Sequence, residues 1–313
     1  MPIAISHNDA DGIISIAALF MKYPEKKFSV YFATPNSLKL VLCKAISRAK
    51  MGEELFIFDL SPNQETAKLA SFFNTTWIDH HIWEDVDFDE NIKTVNDASY
   101  ASAASLAAKY FGVEGKIFEL ADEIDRNNVK SEEASYLRDL IDGIRFTYGK
   151  VSNLKLKAIA SKITKGFENI KTFENDGVVE RFREFIKEME EKVEKEVKFF
   201  EKNGVKTAFF ITNKPIPARV VLGKIKEMGV FADIVAVFYY YVKNGKMMTK
   251  VEFRTANNYD VFEIAKKLGG GGHKYASGAT VENFLKIDDV LEMIPSTTSS
   301  YGHANTAATR GII

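Results

Sequence analysis

Short apolar runs alternate with longer amphipathic stretches through the first third of the chain. The runs lie at residues 2–6, 28–32, 54–58 and immediately before Asp79. After each of the first three runs come turn residues and then apolar residues at helical spacing. Continuous rather than alternating apolar runs are typical of strands that are buried on both faces. The pattern therefore predicts an α/β fold with a mostly parallel sheet, covered by helices on both faces.

The later two thirds of the chain read as helices followed by a second strand-containing region. Small residues dominate 99–110, and a further helix is predicted over 116–126. Residues 149–203 are helical and strongly charged, which favours a solvated linking helix. Strands and helices then resume, and the Asn244-Gly245 pair predicts a hairpin in a smaller mixed sheet. The predicted segments are a catalytic domain at 1–150, a helical linker at 151–203, a second domain at 204–295 and a disordered tail at 296–313.

Composition narrows the class of protein. With 313 residues and 46% hydrophobic content, the chain can bury the cores of two domains. With 42 basic and 43 acidic residues, the chain has no overall excess of positive charge with which to bind long nucleic acid. Cys43 is the single cysteine, so an intramolecular disulfide is excluded, and we expect it as a small buried residue. No apolar run reaches the about 18 residues of a membrane span, and the N-terminus lacks a signal-peptide layout, so we expect a cytoplasmic protein without membrane contact.

Histidine and aspartate alternate directly after the first predicted strand, as His7-x-Asp9-x-Asp11. Residues spaced by two in extended chain point the same way, so the three side chains would share one small volume. Two carboxylates in that volume repel each other unless a cation lies between them. The alternative, an aspartate that caps the helix beginning near Gly12, explains one of the two aspartates and not the histidine.

Two further strands end on potential ligands. Asp59 follows the third strand, where an aspartate alone would be an ordinary turn residue, and Asp79-His80-His81 follows the fourth. Because the carboxyl ends of parallel strands meet at one edge of the sheet, these side chains are expected to converge. Mixed carboxylate and imidazole ligands favour Mn²⁺ or similar ions. So many carboxylates predict two ions about 3.5–4 Å apart, with one carboxylate bridging them.

The second half contains a glycine run that ends in a histidine, from Gly269 to His273. A run of glycines lets successive backbone N–H groups approach an anion, although a flexible linker has the same composition. Arg254, after a predicted strand, offers a fork-shaped donor to a phosphate or a base edge. These residues predict an anion-binding loop.

The order of all these motifs resembles the DHH phosphoesterase family, which includes RecJ-type exonucleases, nanoRNases and cyclic-dinucleotide phosphodiesterases. The N-terminal motifs in this sequence are His7-x-Asp9-x-Asp11-Gly12, Asp59, Asp79-His80-His81 and a later Ala-Asp step at Asp122. The C-terminal motifs, which resemble those of the family's DHH-associated domain, are Arg254, Gly269–His273 and Ala276-Ser277-Gly278. Together they cover residues 1 to about 295.

The resemblance implies a role for each of these residues. His7, Asp9 and Asp59 would hold one Mn²⁺, and the second would be held by Asp11, the bridging Asp59, His80 and Asp122. Asp125, on the same helical face, stays open as the alternative to Asp122. Asp79 would orient a histidine and His81 would lie beside the scissile phosphate. The implied substrate-binding residues are Arg254, Gly270, Gly271, Gly272 and His273.

The implied reaction is phosphodiester hydrolysis by a hydroxide that two Mn²⁺ ions generate from water, with Mg²⁺ or Co²⁺ as substitutes. The sequence shows no OB-fold pattern for gripping long strands, which favours exonucleolytic cleavage of short RNA or DNA oligonucleotides to monophosphates. The alternatives are a cyclic-dinucleotide phosphodiesterase, a 3′-phosphoadenosine 5′-phosphate phosphatase, and a non-catalytic subunit that binds nucleic acid or a partner. Polarity of cleavage, RNA or DNA preference and homo-oligomer formation stay open.

Overall fold

The computed structural model describes residues 1–170, 177–257 and 259–294. The chain divides into two compact units, Met1–Glu184 and Phe185–Ile313. The first contains a parallel sheet and the second a mixed sheet, so the predicted α/β class is confirmed. The predicted disordered tail at 296–313 lies outside the described residues.

The first unit alternates strands and helices along its first half and is helical in its second. Its strands are β1 (Ile3–His7), β2 (Ser29–Ala33), β3 (Glu54–Phe58), β4 (Asn74–Asp79) and β5 (Ile92–Asn96). Its helices are α1 (Ala10–Lys22), α2 (Leu38–Ile46), α3 (Gln64–Ala70), α4 (Ala103–Phe111), α5 (Lys116–Asp125), α6 (Glu132–Tyr148) and α7 (Ser152–Ile163), and the division between the units falls within α8 (Val178–Glu196).

The five strands are parallel and lie in the order β2-β1-β3-β4-β5. From β1 the chain moves outward to β2 and then returns to the opposite side of β1 for β3. The carboxyl ends of β1 and β3 therefore flank a point where the strand order reverses, which is where open α/β sheets bind ligands. The polar residues that follow β1, β3 and β4 all emerge along this edge.

Both faces of this sheet are buried, as the continuous apolar runs predicted. Phe56 and Ile78 belong to the core that α1, α4, α5, α6 and α7 cover. Their neighbours Ile57 and Trp77 point to the opposite face and pack with residues of α2 and α3. Successive side chains of a strand alternate between faces, so burial of both faces favours apolar residues at consecutive positions such as 56–58 and 77–78.

The second unit is built on a six-stranded sheet. Its strands are β6 (Lys198–Lys202), β7 (Val205–Thr212), β8 (Ile234–Lys243), β9 (Lys246–Thr255), β10 (Gly271–His273) and β11 (Ala276–Glu282), and its further helices are α9 (Ala218–Glu227), α10 (Phe262–Lys267) and α11 (Ile287–Met293). The strand order is β10-β11-β9-β8-β7-β6, and β7 and β8 are the parallel pair. Asn244 and Gly245 have φ values of 52° and 76°, so the predicted hairpin joins β8 and β9.

The unit boundary differs from the predicted domain boundaries. Leu156, Ile159 and Ile163 of α7 pack into the core of the first unit, and β6 pairs with β7 in the second sheet. The segment at 151–203 is therefore not a separate linker. Its apolar positions lie among many lysines and glutamates, and the charge obscured the burial of one helix face. The exposed and polar character of β5 similarly hid that strand from the sequence reading.

Cys43 is exposed, so its predicted burial is wrong: Leu42 and Ala45 take the inward positions of α2. Among the helices in the described part of the chain, none is long and apolar enough to cross a bilayer.

Candidate metal centre

The turn between β1 and α1 brings His7 and Asp9 together. Asp9 caps α1, its Oδ1 accepting the Gly12 N–H at 3.1 Å, and its Oδ2 lies 2.6 Å from His7 Nδ1. A Cβ at position 12 would overlap the carbonyl oxygen of His7, so the close approach of helix and strand requires glycine. Asp11 already lies in the first turn of α1. The prediction that one extended segment presents all three residues is therefore wrong. His7 ends a strand, Asp9 caps the helix, and Asp11 lies in the helix.

Asp59 occupies the centre of the site. It follows β3, is 3% exposed and has a left-handed φ of 56°, while its N–H donates to the carbonyl of Ile78 at 3.0 Å. This turn places Oδ2 at 3.4 Å from His7 Nδ1. It also places Oδ1 at 3.9 Å from His80 Nε2 and 3.8 Å from His81 Nδ1. One carboxylate thus lies between the first histidine and the histidine pair.

Asp11 is held by the N-terminus of α4. Its Oδ2 and Oδ1 accept the N–H groups of Ala103 and Ala104 at 2.8 and 2.7 Å, where the helix dipole favours negative charge. Its Oδ2 is also 3.6 Å from His80 Nε2, and Asp125 Oδ2 lies at the same 3.6 Å from that nitrogen. The carboxylates of Asp11 and Asp125 therefore share His80.

The orientation of His80 suits a metal ligand. Its Nδ1 lies 3.3 Å from the carbonyl oxygen of Tyr100, to which it can donate, and its Nε2 points toward the carboxylates of Asp11 and Asp125. A second hydrogen bond of this kind is usual for ligating imidazoles, because it fixes both the tautomer and the ring plane.

Hydrogen-bond donors contact both carboxylate oxygens of Asp79. It is fully buried, and its Oδ1 accepts the His80 N–H at 2.9 Å and contacts His81 Nδ1 at 2.6 Å. Its Oδ2 accepts Trp83 Nε1–H at 2.6 Å and the Ser61 hydroxyl at 3.2 Å. Burial raises the pKa of Asp79, but the charge and hydrogen bond of His81 outweigh it and hold the pKa below its usual value. Burial lowers the pKa of His81, and the Asp79 carboxylate reverses this to a net increase.

The remaining acids repel one another. Burial raises the pKa of Asp11 well above its usual value, and the charges of Asp125 and Asp9 raise it further. Burial also raises the pKa of Asp59, with the Asp11 and Asp9 carboxylates adding to the effect. For Asp9 burial acts in the same direction, but the His7 charge prevails and lowers its pKa. These carboxylates cannot all be ionised without a compensating positive charge.

A divalent cation fits this centre. Asp59 Oδ2 is buried and has no hydrogen-bond partner, which is costly for a carboxylate oxygen unless an ion contacts it. The ligand atoms within each of two sets lie within 4.8 Å of one another: His7, Asp9 and Asp59 in one, and Asp11, His80 and Asp125 in the other. Imidazole nitrogens with carboxylate oxygens form a donor set typical of first-row divalent ions such as Mn²⁺.

Comparisons with known proteins bear on the assignment. The family model of the DHHA1 domain matches residues 205–300. The bifunctional oligoribonuclease and PAP phosphatase NrnA of Mycoplasma pneumoniae is 26% identical over 220 residues, which are 69% of this chain and 62% of that protein. The chain therefore spans less than two thirds of that relative. With the His-x-Asp-x-Asp and Asp-His-His motifs ahead of the DHHA1 match, these similarities support a DHH-family phosphoesterase.

Solved structures of this fold extend the likeness over nearly the whole chain. The pGpG-specific phosphodiesterase PggH from Vibrio cholerae has a TM-score of 0.61 at 15% identity, covering 94% of this chain and 99% of that chain. The exonuclease RecJ bound to manganese has a TM-score of 0.50 at 13% identity, covering 96% and 92%. Identities this low establish the shared DHH fold alone.

Most of the predicted DHH ligands converge, with one correction. His7, Asp9, Asp11, Asp59 and His80 are brought to the same edge of the sheet. The predicted ligand on α5 is not.

Asp122 Oδ1 accepts the hydroxyls of Ser102 and Ser105 at 2.5 and 2.7 Å, whereas the alternative Asp125 faces His80. Residues three apart on a helix point about 60° apart, which is enough to send one toward α4 and the other to the histidine. Asp122, at the Ala-Asp step, therefore bonds to residues at the start of α4 rather than to the histidine.

Several contributors lacked a sequence signal. Asn96, on the unpredicted strand β5, donates through Nδ2 to the carbonyls of Asp79 at 2.8 Å and His81 at 2.9 Å, which fixes the backbone of the Asp-His-His segment. Ser102 caps α4 and so supports the amides that hold Asp11. In a polar stretch of sequence, nothing distinguishes one asparagine or serine from its neighbours. The contacts of Asn96 and Ser102 are therefore recognised only in the folded structure.

The predicted substrate-binding residues of the second unit lie on adjacent strands. His273 on β10 is opposite Ala276 on β11, and Ala276 is opposite Arg254 on β9. Directly opposed residues point to the same face, so Arg254 and His273 flank a small alanine about 10 Å apart.

The glycine run, predicted as an anion-binding loop with a flexible linker as the alternative, lies partly in a strand. Gly271 and Gly272 lie in β10. A Cβ at Gly270 would overlap the carbonyl oxygen of Gly278, and one at Gly272 would contact that of Ala276 at 2.5 Å. Gly271 has open space around it. Gly270 and Gly272 are therefore required because the backbone of β11 passes too close for a side chain.

Proposed function

We propose that this DHH protein is a metal-dependent phosphodiesterase that removes nucleotides from short RNA or DNA oligonucleotides. The observation that carries the proposal is the environment of Asp59, a buried carboxylate between His7 and the histidine pair with one oxygen lacking a hydrogen-bond partner. A carboxylate in that position fits a bridging ligand between two cations. It has no evident structural purpose without them.

The geometry supports a specific set of ligands. His7, Asp9 and Asp59 would hold one Mn²⁺, and Asp11, Asp59, His80 and Asp125 the other, with Asp125 replacing Asp122. Bound there, the ions would lower the pKa of water and neutralise charge that develops on phosphate oxygens. No nucleophilic side chain of the protein is required.

The chain itself would contribute a positioned proton. His81 keeps its Nδ1–H on the Asp79 carboxylate at 2.6 Å, and its raised pKa makes the imidazolium form more populated near neutral pH. Beside the scissile phosphate, such a group can donate to a phosphate oxygen or to the departing oxygen. Arg254 and His273 would bind another phosphate of the strand and so set which bond is presented.

The choice of substrate rests on the relatives' names and on charge. The Mycoplasma relative is named for oligoribonuclease and PAP phosphatase activities, and the present chain has a formal net charge of −1. A near-neutral protein gains little from the distributed phosphate contacts of a long strand, which favours short substrates. The same name makes hydrolysis of 3′-phosphoadenosine 5′-phosphate the second candidate activity.

The test is a substrate panel with Mn²⁺ and with EDTA. It contains a labelled dinucleotide, a tetranucleotide, a long single strand, a cyclic dinucleotide and 3′-phosphoadenosine 5′-phosphate. We expect Mn²⁺-dependent release of mononucleotide from the two short oligonucleotides, loss of activity in EDTA and in Asp59→Ala, and full activity in Asp97→Asn, which removes an exposed carboxylate outside the centre. Cleavage that survives both EDTA and Asp59→Ala contradicts the mechanism.

The same panel distinguishes the alternative substrates and the non-catalytic function. Preference for the cyclic dinucleotide or for the bisphosphate reassigns the substrate and leaves the metal centre in place. Tight binding of oligonucleotide without hydrolysis of any member supports the non-catalytic subunit, and the proposed function then fails.

A further inference from the structure

Trp83 makes a polar contact with the site that the proposed function does not use. It lies four residues after Asp79 and is partly buried against Trp77 and Phe88, with ring centroids at 6.2 and 5.7 Å. Its indole Nε1–H nevertheless points away from solvent and donates to Asp79 Oδ2 at 2.6 Å. A packing role alone does not require this hydrogen bond.

Asp79 has no capacity left for an ion. An ionised carboxylate offers about four lone-pair sites, and four donors contact this one. The His80 N–H and His81 Nδ1 share Oδ1 at 2.9 and 2.6 Å, while Trp83 and Ser61 share Oδ2 at 2.6 and 3.2 Å. Although Asp79 lies close enough to Asp59 and His81 to be counted with them as a metal group, its oxygens are already satisfied.

The two donors on Oδ2 fix the orientation of the carboxylate, and this orientation determines whether Oδ1 faces His81. A carboxylate can turn about its Cβ–Cγ bond, and beside a cation it is drawn to rotate an oxygen toward the positive charge. The Trp83 bond is the shorter of the two on Oδ2 and comes from an aromatic ring that Trp77 and Phe88 hold in place. Without it, Oδ2 would keep only the longer bond from Ser61, and the carboxylate could turn away from His81.

We propose that Trp83 is a positioning residue, which locks the Asp79 carboxylate so that Oδ1 keeps the Nδ1–H of His81 and sets the plane of that imidazole. The inference rests on the proposed function for its kinetic consequence. Its structural consequence, the strength of the His81–Asp79 hydrogen bond, is measured without turnover.

The central variant is Trp83→Phe, which keeps an aromatic ring and removes the donor. The control is Phe88→Leu, which weakens the same aromatic cluster and leaves the Trp83 donor intact. Each variant is examined by ¹H NMR in the downfield region where a histidine N–H bonded to a carboxylate resonates, with the signal assigned by its absence in His81→Asn. Thermal unfolding and steady-state kinetics on the short oligonucleotide are measured in parallel.

In Trp83→Phe we expect the His81 proton to move upfield or broaden. We also expect kcat to fall about tenfold with KM unchanged, the lower end of the effect of outer-shell partners. Phe88→Leu should lose thermal stability yet keep both the resonance and kcat. An unshifted resonance in Trp83→Phe overturns the proposal, as does a resonance that moves equally in Phe88→Leu.

Two further outcomes are distinguishable. If the wild-type protein cleaves no oligonucleotide, the proposed function fails while the resonance still decides the role of Trp83. If Trp83→Phe does not fold, Trp83→Leu removes the same donor, with Phe88→Leu as the packing control, and an unshifted His81 resonance there overturns the positioning role.

Discussion

Asp59 combines three features that a single residue seldom shows together: burial, a left-handed backbone and a carboxylate oxygen without a hydrogen-bond partner. Asparagine also adopts left-handed φ values readily, so Asp59→Asn changes the charge and leaves the turn intact. The effect of this charge on stability and on metal binding can therefore be measured separately from folding.

We predict that Asp59→Asn abolishes Mn²⁺-dependent activity and stabilises the metal-free protein. Burial, then the charges of Asp11 and Asp9, raises the pKa of Asp59, so its contribution to stability is complete below the unfolded pKa and is lost as pH rises through the folded pKa. In EDTA at pH 7 the variant should melt a few degrees above wild type. Mn²⁺ should raise the Tm of wild type and not that of the variant. A metal-free variant that melts lower contradicts the electrostatic account.

The pair Asp122 and Asp125 gives a second prediction, because either change to asparagine removes one negative charge from the same helix. Asp125→Asn should weaken Mn²⁺ binding at least about tenfold, since its carboxylate lies 3.6 Å from His80 Nε2. Asp122→Asn keeps an oxygen to accept from Ser102 and Ser105 and should bind Mn²⁺ within about threefold of wild type. Isothermal titration with MnCl₂ measures both, and the reverse order would restore Asp122 as the ligand.

At the scale of elements, the strands that carry the site were the most predictable part of the fold. The strands β1 and β3 are mostly buried and apolar, and the apolar pair Trp77-Ile78 lies at the end of the more polar β4. A potential ligand ends or directly follows each of the three strands. The edge strand β5, Ile-Lys-Thr-Val-Asn, has exposed lysine, threonine and asparagine and only two apolar residues, and gave no such signal. Strands were recognised where burial is complete and missed where half of the side chains face solvent.

The support of the site could not be read from the chain. The amides that hold Asp11 belong to Ala103 and Ala104, more than 90 positions away, and backbone amides have no sequence signature. The choice between Asp122 and Asp125 depends on how α5 is rotated against α4, and that rotation follows from packing. Local spacing predicted which residue types converge and not which of two neighbours faces the centre.

The glycines of β10 test whether the run serves packing or anion binding. Gly272 has a φ of 129° and would bring a Cβ against Ala276, whereas Gly271 has open space and an ordinary φ. We predict that Gly272→Ala lowers the free energy of unfolding by about 1–3 kcal/mol and that Gly271→Ala leaves it within about 0.5 kcal/mol of wild type. Urea unfolding followed by circular dichroism measures both. If both variants lose the same free energy of unfolding, the contact with Ala276 is not the reason that Gly272→Ala is destabilising.

At the scale of the whole molecule, the charge balance limits how the protein meets nucleic acid. With 42 basic and 43 acidic residues, the chain has no excess of positive charge for a long phosphate backbone. Binding would then depend on a few fixed contacts, among which Arg254 is the proposed cation of the second unit. Each phosphate contact releases counterions and adds about −0.7 to the slope of log affinity against log salt for a single strand.

For a tetranucleotide, the slope of log(1/KM) against log[KCl] between 50 and 300 mM should lie between about −1 and −2, and Arg254→Gln should make it shallower by about 0.7 to 1. His273→Gln, which removes no permanent charge, should raise KM with little change in slope and serves as the matched control. The same plot for a long single strand gives the contrary outcome, because a slope there steeper than about −4 would require many phosphate contacts. The protein would then be better suited to long single strands than to short ones.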